Sequence, residues 1–146
     1  WAKPKDFNRE RLGPTMEALA LTEAEGTLLQ EGIREFDTTR YWHAHESWED
    51  LWNSLKRRAA PQAEILGVQG LIQTAALLFN HQRKKERGVL NQWNKLLPKL
   101  EVWEFFWMID VIAHLKQIRR FVDDAGTWNE TYEDVRMPTV DVEGLE

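Results

Sequence analysis

The sequence predicts an all-α protein, a small single-domain helical bundle of about five helices with extended terminal arms. Apolar residues recur every three or four positions through most of the chain, which is the spacing of one helix face. Proline and glycine stand at several junctions between these periodic stretches. Only the aromatic stretch at 102–109, VWEFFWMI, alternates enough to suggest a short extended piece.

The length and composition indicate one domain. A chain of 146 residues that is 42% hydrophobic and 29% charged can bury a core of its own. We expect that core to cover about 22–124, with arms at 1–21 and 125–146 that lack sustained helical periodicity. Proteases should cut both arms unless they dock on the body of the protein.

The composition also excludes several classes of protein. There is no cysteine, so a disulfide framework and a thiolate metal site are both impossible. The longest apolar stretch, at 65–79, is shorter than a bilayer span, so no membrane association is expected. A net charge of −5 repels phosphate backbones, so nucleic acid is not an expected partner. We expect a cytoplasmic protein.

Each helix is predicted from its own start signal and periodicity. Thr22 and Glu25 form a capping box for the first helix, Pro61 suits the first turn of the third, and Asp110 can cap the fifth. The fourth helix should weaken near Pro98. The predicted ranges are 23–36, 40–57, 61–82, 88–97 and 110–123.

The second predicted helix carries an unusual mixture of side chains in the stretch YWHAHESWEDLW, at 41–52. On a helical projection Trp52 falls within the apolar sector of this helix, and His45 and Glu49 lie one turn apart along the edge of that sector. Glu46 lies farther round the helix. These positions make His45 and Glu49 the first candidates for a functional site.

The third predicted helix is apolar on nearly all sides except for a line of amides that includes Gln69 and Gln73. An unpaired amide inside a bundle costs roughly 1–3 kcal/mol, so these side chains need partners. His45 and Glu49 are the nearest candidates, because a short turn should pack the second and third helices antiparallel. We therefore predict a buried hydrogen-bonded cluster of His, Glu and Gln side chains, with Gly67 and Gly70 allowing close approach of the two helices.

These residues resemble a known family. The stretch from Gln30 to Trp52, with its AHESWEDLW, and the later VQGLIQTAALLFNH are similar to the family called domain of unknown function 309, over roughly 28–100. The resemblance implies a small α-helical bundle and a predicted metal-dependent hydrolase. The family pattern leads us to expect glycine where this chain has Thr39. The positions carried over from the family are His45, Glu46, Glu49, Trp52, Gln69, Gly70 and Gln73.

The hydrolase interpretation gives a chemical role to each residue of the motif on the second helix. In the H-E-x-x-H pattern two histidines one turn apart bind a metal and the intervening Glu is the general base. Here His45 and Glu49 would be the ligands of a divalent metal (zinc, iron or manganese) and Glu46 the base. A third ligand is missing from the motif, and the pair formed by Asp110 and His114 is the only reserve, although these two are more typical of a helix cap and a surface residue.

Two functions from different classes therefore stay open. The first, which we favour, is a non-catalytic domain that binds a small ligand or a protein through the polar cluster and the tryptophans around it. The second is the metal-dependent hydrolase. A homodimer formed through the aromatic stretch at 103–109 is a further expectation, because a small bundle often leaves an apolar face uncovered.

Overall fold

The computed structural model of the protein describes residues 20–140. Within that range five helices and one β-hairpin follow one another along the chain. They are α1 (Glu23–Asp37), α2 (Tyr41–Arg57), α3 (Gln62–Gln82), α4 (Glu86–Leu100), β1 (Phe105–Phe106), β2 (Ile109–Asp110) and α5 (Val111–Asp123). The all-α fold and the five predicted helices are confirmed, while expectations for 1–19 and 141–146 lie outside the described residues.

Helix α1 begins at the predicted capping box, and its glutamate also binds the end of α2. The Thr22 hydroxyl accepts the N–H of Glu25, and the Glu25 carboxylate accepts the N–H of Thr22. Glu25 is only 1% exposed. Its carboxylate accepts the hydroxyl of Ser54 at 2.6 Å and two N–H groups of Arg58 at 2.9 and 2.8 Å. The hydrogen bonds from Arg58, joined by those from Ser54 and Thr22, lower the pKa of Glu25 to about 2 against the effect of burial.

Helices α1, α2 and α3 end in the same way, which explains their short connections. Each is followed by a non-glycine residue with a left-handed backbone: Thr39 (φ 64°), Ala59 (φ 53°) and Lys84 (φ 57°). After α1 the N–H of Arg40 reaches back to the carbonyl of Glu35 at 2.8 Å, which closes a Schellman motif. Glycine is the residue best suited to that conformation, so the glycine expected at Thr39 has a physical reason.

Helix α3 lies in the middle of the fold and packs against α2, α4 and α5. The prediction that Gly67 and Gly70 face α2 is wrong. A Cβ atom at Gly67 would collide with the ring of Phe106, and one at Gly70 would collide with Leu100. The two glycines therefore allow α4 and the hairpin, rather than α2, to pack closely against α3. None of the helices within 20–140, α3 included, is long and apolar enough to cross a membrane.

Helix α4 is longer than predicted, because it continues past Pro98 to Leu100. Pro98 stands in the last turn, so the N–H donor that it lacks removes one hydrogen bond near the end of the ladder and leaves the preceding turns intact. Leu96 and Leu100 are fully buried and hold that turn against the core. After it, the aromatic stretch forms the two-residue strands β1 and β2, which pair antiparallel as the predicted extended piece.

The segment after α5 has no helix, as predicted for an arm, but it contains turns at 124–127 and 133–134 and packs on the bundle as far as 140. Val135 and Met137 are buried in the core. The N–H of Met137 donates to the Asp37 carboxylate at 2.7 Å, and the N–H of Val140 donates to the carbonyl of Met108 at 2.8 Å. The predicted core boundary at 124 is therefore too early, because apolar residues without helical periodicity can still anchor an extended chain.

The ion pair between Glu25 and Arg58 should make stability depend on pH. Since the pKa of Glu25 falls from 4.5 to about 2 on folding, its contribution is complete above pH 4.5 and is lost as the pH falls toward 2. Glu25→Gln keeps the capping box but removes the charge. We expect this variant to be less stable than wild type at pH 7, with the difference shrinking below pH 4.5 in urea unfolding.

The control is Glu23→Gln, which changes an exposed glutamate in the same helical turn. Its stability relative to wild type should not change over that pH range. If Glu25→Gln and wild type had the same free energy of unfolding at every pH, the stabilising role of the Glu25 charge would be contradicted.

The left-handed residue after α1 provides a second test. Thr39→Gly should raise the free energy of unfolding by roughly 0.5–1 kcal/mol, because relief of left-handed strain exceeds the entropy cost of glycine. Thr38→Gly is the matched control. Thr38 has an ordinary φ of −111°, and its hydroxyl donates to the carbonyl of Arg34, so this variant should be destabilised. Chemical denaturation would contradict the interpretation if both substitutions lowered stability equally.

Candidate functional site

Helix α2 places its functional candidates on one side. Tyr41, Ala44, Trp48, Leu51 and Leu55 are buried and point to the core, as the helical projection predicts. Next to this buried face runs a row of side chains spaced by three, four, three and four residues, which follows one side of a helix for about 21 Å. We call this row the α2 stripe; its members are Trp42, His45, Glu49, Trp52 and Lys56.

The α2 stripe lies on the side of the helix that faces α3. Trp42 contacts Phe79 of α3, with ring centroids 5.3 Å apart. On the other side of α2, Ser47 donates to Glu35 of α1 at 3.0 Å. The rotation of α2 is therefore fixed by α1 on one side and by α3 on the other.

The predicted buried cluster does not form. Glu49 is exposed, His45 is half-buried, and no hydrogen bond within 20–140 joins either of them to Gln69 or Gln73. Gln69 and Gln73 are half-buried and lie on the outer line of α3. The core face of α2 is filled by larger apolar side chains, and the rotation that buries Trp48 turns Glu49 toward solvent.

Some polar atoms near this surface are buried without a partner. They are Nδ1 of His45, Nε1 of Trp52 and Oε1 of Gln73. Four other buried polar atoms lack partners within 20–140, but those belong to the fully or almost fully buried residues Tyr41, Trp103, Trp107 and His114. The first three atoms differ because they belong to side chains that are only half-buried, so they lie just beneath the surface although the atoms themselves are covered.

Aromatic rings frame the α2 stripe. Trp42 is 47% exposed and stacks on the imidazole of His45, with centroids 4.8 Å apart and planes 8° apart. At the other end, Nζ of Lys56 lies 3.4 Å from the ring centroid of Trp52, so this indole already holds an ammonium group. The exposed carboxylate of Glu49 stands between the two indoles in the sequence of the stripe. The stripe thus combines flat aromatic faces with the negative charge of Glu49, while the positive charge of Lys56 lies over Trp52 at its far end.

The residues of the hydrolase interpretation are not assembled into a metal site. No group of three or more His, Asp or Glu side chains within 20–140 is placed to hold a metal ion, and the chain has no cysteine. Glu46 is exposed on α2 beyond the stripe. The third ligand that the motif lacks is therefore not supplied by residues 20–140.

Asp110 and His114, the other pair considered as metal ligands, have structural roles. Asp110 caps α5 by accepting the N–H of Ala113 at 3.1 Å. His114, expected at the surface, is fully buried beside Phe36, and its Nε2 lies 3.3 Å from the Thr74 hydroxyl. Burial lowers the pKa of His114 to about 4, so the imidazole is neutral at pH 7.

The structure contains a second buried polar cluster that the sequence did not predict. Nε2 of His81 lies 2.8 Å from the Asp124 carboxylate, and its Nδ1 hydrogen-bonds the hydroxyl of Tyr132. Asp124 also accepts the backbone N–H groups of Asn129 and Glu130, at 2.8 and 2.9 Å. Burial opposes ionisation of Asp124, but these hydrogen bonds hold its pKa well below the usual range.

This second cluster joins the end of α3 to the segment after α5. Its members are 43 and 51 residues apart along the chain, counted from His81, so no local periodicity could have paired them. The only sequence signal was an acidic residue directly after a predicted helix. Tyr132 stacks on Phe121 at 5.4 Å, which leaves the cluster closed by aromatic rings. We assign it the structural role of anchoring the C-terminal segment.

Comparison with known proteins gives one match. Residues 29–92 match the model of the family described as Domain of unknown function (DUF309). No curated protein and no solved structure matches the chain. The matched segment begins in α1, contains the whole of α2 and α3, and ends within α4, so it includes the α2 stripe and both glutamines. The match confirms the resemblance seen in the sequence: residues 29–92 of this chain are similar to the DUF309 family.

Proposed function

We propose that the protein is a non-catalytic binding domain whose α2 stripe takes a segment of a partner protein that carries a cationic Lys or Arg side chain. The observation that carries the proposal is the exposed Glu49 on the α2 stripe, with an indole on either side and two covered polar atoms beside it, Nδ1 of His45 and Nε1 of Trp52, that have no partner within 20–140. A polypeptide supplies the carbonyl and N–H groups that these atoms lack.

The charge and the aromatic rings favour a cation. Glu49 offers a carboxylate, and Trp42 offers an exposed indole face within reach of a side chain bound there. The neighbouring acid Glu46 is also exposed and adds a second negative charge near the stripe, which favours a cationic partner. Lys56 over Trp52 is an example, within the same stripe, of the contact we propose.

The hydrolase alternative would use His45 and Glu49 as ligands of zinc, iron or manganese and Glu46 as base. We rank it second because, among residues 20–140, no side chain is placed to be the third ligand beside His45 and Glu49. A cytoplasmic location, a small-molecule ligand in place of a protein, and the absence of nucleic-acid partners remain predictions from the composition.

Peptide titration tests the proposed function. The probes are two unstructured peptides of equal length, one with Lys and Arg and the other with Gln at the same positions. The indole N–H signals of Trp42 and Trp52 in NMR spectra should shift only with the cationic peptide. Glu49→Gln and Trp42→Ala should each weaken binding roughly two- to fivefold, since an exposed cation–π contact contributes about 0.5–1 kcal/mol.

The matched control is Asp50→Asn, which removes the same charge from the opposite, exposed side of α2. It should leave the peptide affinity almost unchanged at moderate ionic strength. If Asp50→Asn and Glu49→Gln weakened peptide binding equally, the binding would depend only on the net charge of the protein. That result would overturn the proposed site.

Chelation separates the binding domain from the hydrolase. A strong chelator should leave the thermal midpoint of wild type unchanged. Because Glu49 is exposed, Glu49→Ala should change the free energy of unfolding by no more than about 0.5 kcal/mol, rather than by the cost of breaking a buried cluster. If the chelator lowers the midpoint of wild type but not that of Glu49→Ala, the metal interpretation replaces ours.

A further inference from the structure

A second surface, distinct from the α2 stripe, lies between α4 and α5. It is an open groove of about 490 Å³. We call it the α4–α5 groove; it is lined by Trp93, Leu97, Glu101, Trp103, Ile112, Leu115, Lys116 and Arg119. Ile112 is 57% exposed, and Val102 beside the groove is 48% exposed. This is a contiguous apolar surface of the kind that marks an interaction site.

The apolar side chains have the spacing of a helix-packing seam. On α4 they are Leu90, Trp93 and Leu97, at intervals of three and four residues, and on α5 they are Ile112 and Leu115. None of the five is buried, so both helices keep an apolar row on their outer side. Two neighbouring helices with such rows need further helices to cover them, which is how four-helix bundles are built.

The charges of the groove are arranged to suit a second copy of the chain. The two helices run antiparallel, since the hairpin joins the end of α4 to the start of α5, while Gly126 after α5 lies beside Glu86 at the start of α4. Glu101 therefore stands at the hairpin end, and Arg119 lies about two turns farther along α5. A two-fold axis across the middle of the groove exchanges these ends and brings each Glu101 to the other copy's Arg119.

We propose that the α4–α5 groove is the interface of a homodimer in which the α4–α5 pairs of two copies form a four-helix bundle. Ile112 and Leu115 pack near the two-fold axis, and two pairs of Glu101 with Arg119 flank it. Arg119 binds Asp123 through Nε alone, so its terminal amino groups can reach the other copy's glutamate. Lys116 lies between the two ends, where its long side chain can turn toward the same glutamate.

The interface differs from the one expected from the sequence. Self-association was expected through 103–109, but Trp103, Phe106, Trp107 and Ile109 are buried within the protein itself. Apart from Trp103, which lines the edge of the α4–α5 groove, these side chains fill the interior and cannot serve as an outer surface. The apolar surface left uncovered is on the neighbouring helices.

Charge reversal tests the proposal with the full chain, by light scattering and sedimentation over a range of concentrations. Wild type should be a dimer. Glu101→Arg and Arg119→Glu should each raise the dimer dissociation constant about tenfold or more, because each creates two like-charge contacts. An equimolar mixture of the two variants should dimerise again, since each mixed dimer contains two opposite-charge pairs. The double variant should also recover.

Two further variants make the result specific. Ile112→Asp should give a monomer with an unchanged circular dichroism spectrum, because Ile112 is already exposed. Asp50→Arg, a reversal on the exposed side of α2, should leave the dimer intact. A monomeric wild type at the highest concentration reached, or a dimer that survives Ile112→Asp and both reversals, overturns the proposal. Loss of peptide binding at the α2 stripe would not affect it, because the readout is the oligomeric state alone.

Discussion

The rest of the structure depends on burial of α3. This helix has apolar residues on most of its sides, so it cannot face water along more than one narrow line. Helices α2 and α4 therefore pack on its two flanks, and α5 joins them from the remaining side. Gly67 and Gly70 leave room for Phe106 and Leu100, which lets the hairpin and the end of α4 approach the α3 backbone. The half-buried glutamines Gln69 and Gln73 occupy the line that is left.

Local sequence signals were sufficient for the helices and insufficient for their contacts. The capping box at Thr22 and Glu25 and the apolar spacing in α2 depend only on neighbours along the chain, and both were predicted. The exposure of Glu49 depends on how far α2 is rotated, which Ser47 and Trp42 fix through contacts with other helices. A rotation of a few tens of degrees decides whether an edge residue is buried, and no pattern within one helix determines it.

Contacts between residues that are far apart in the sequence could not be predicted either. Glu25 meets Arg58, and His81 meets Asp124, over 33 and 43 residues of chain. A buried carboxylate without such partners would be costly, so each of these acids required a cation or several N–H donors somewhere in the fold. The sequence does not show which carboxylates are buried, so it does not show which of them need such partners. For the same reason the sequence could place His45 and Glu49 one turn apart on α2 but could not predict which side chains surround them.

The contrast between these clusters and the α2 stripe argues for binding. Glu25 and Asp124 are buried, and their carboxylates are satisfied by several donors. The same fold leaves His45 and Trp52, two half-buried side chains, with covered polar atoms that have no partner within 20–140. In a dimer built on the α4–α5 groove, α3 separates the interface from α2, so both copies would keep their stripes uncovered. Two weak sites held together bind a partner with repeated cationic segments far more tightly than one site does. Modest contacts at each stripe would then be enough for a useful affinity.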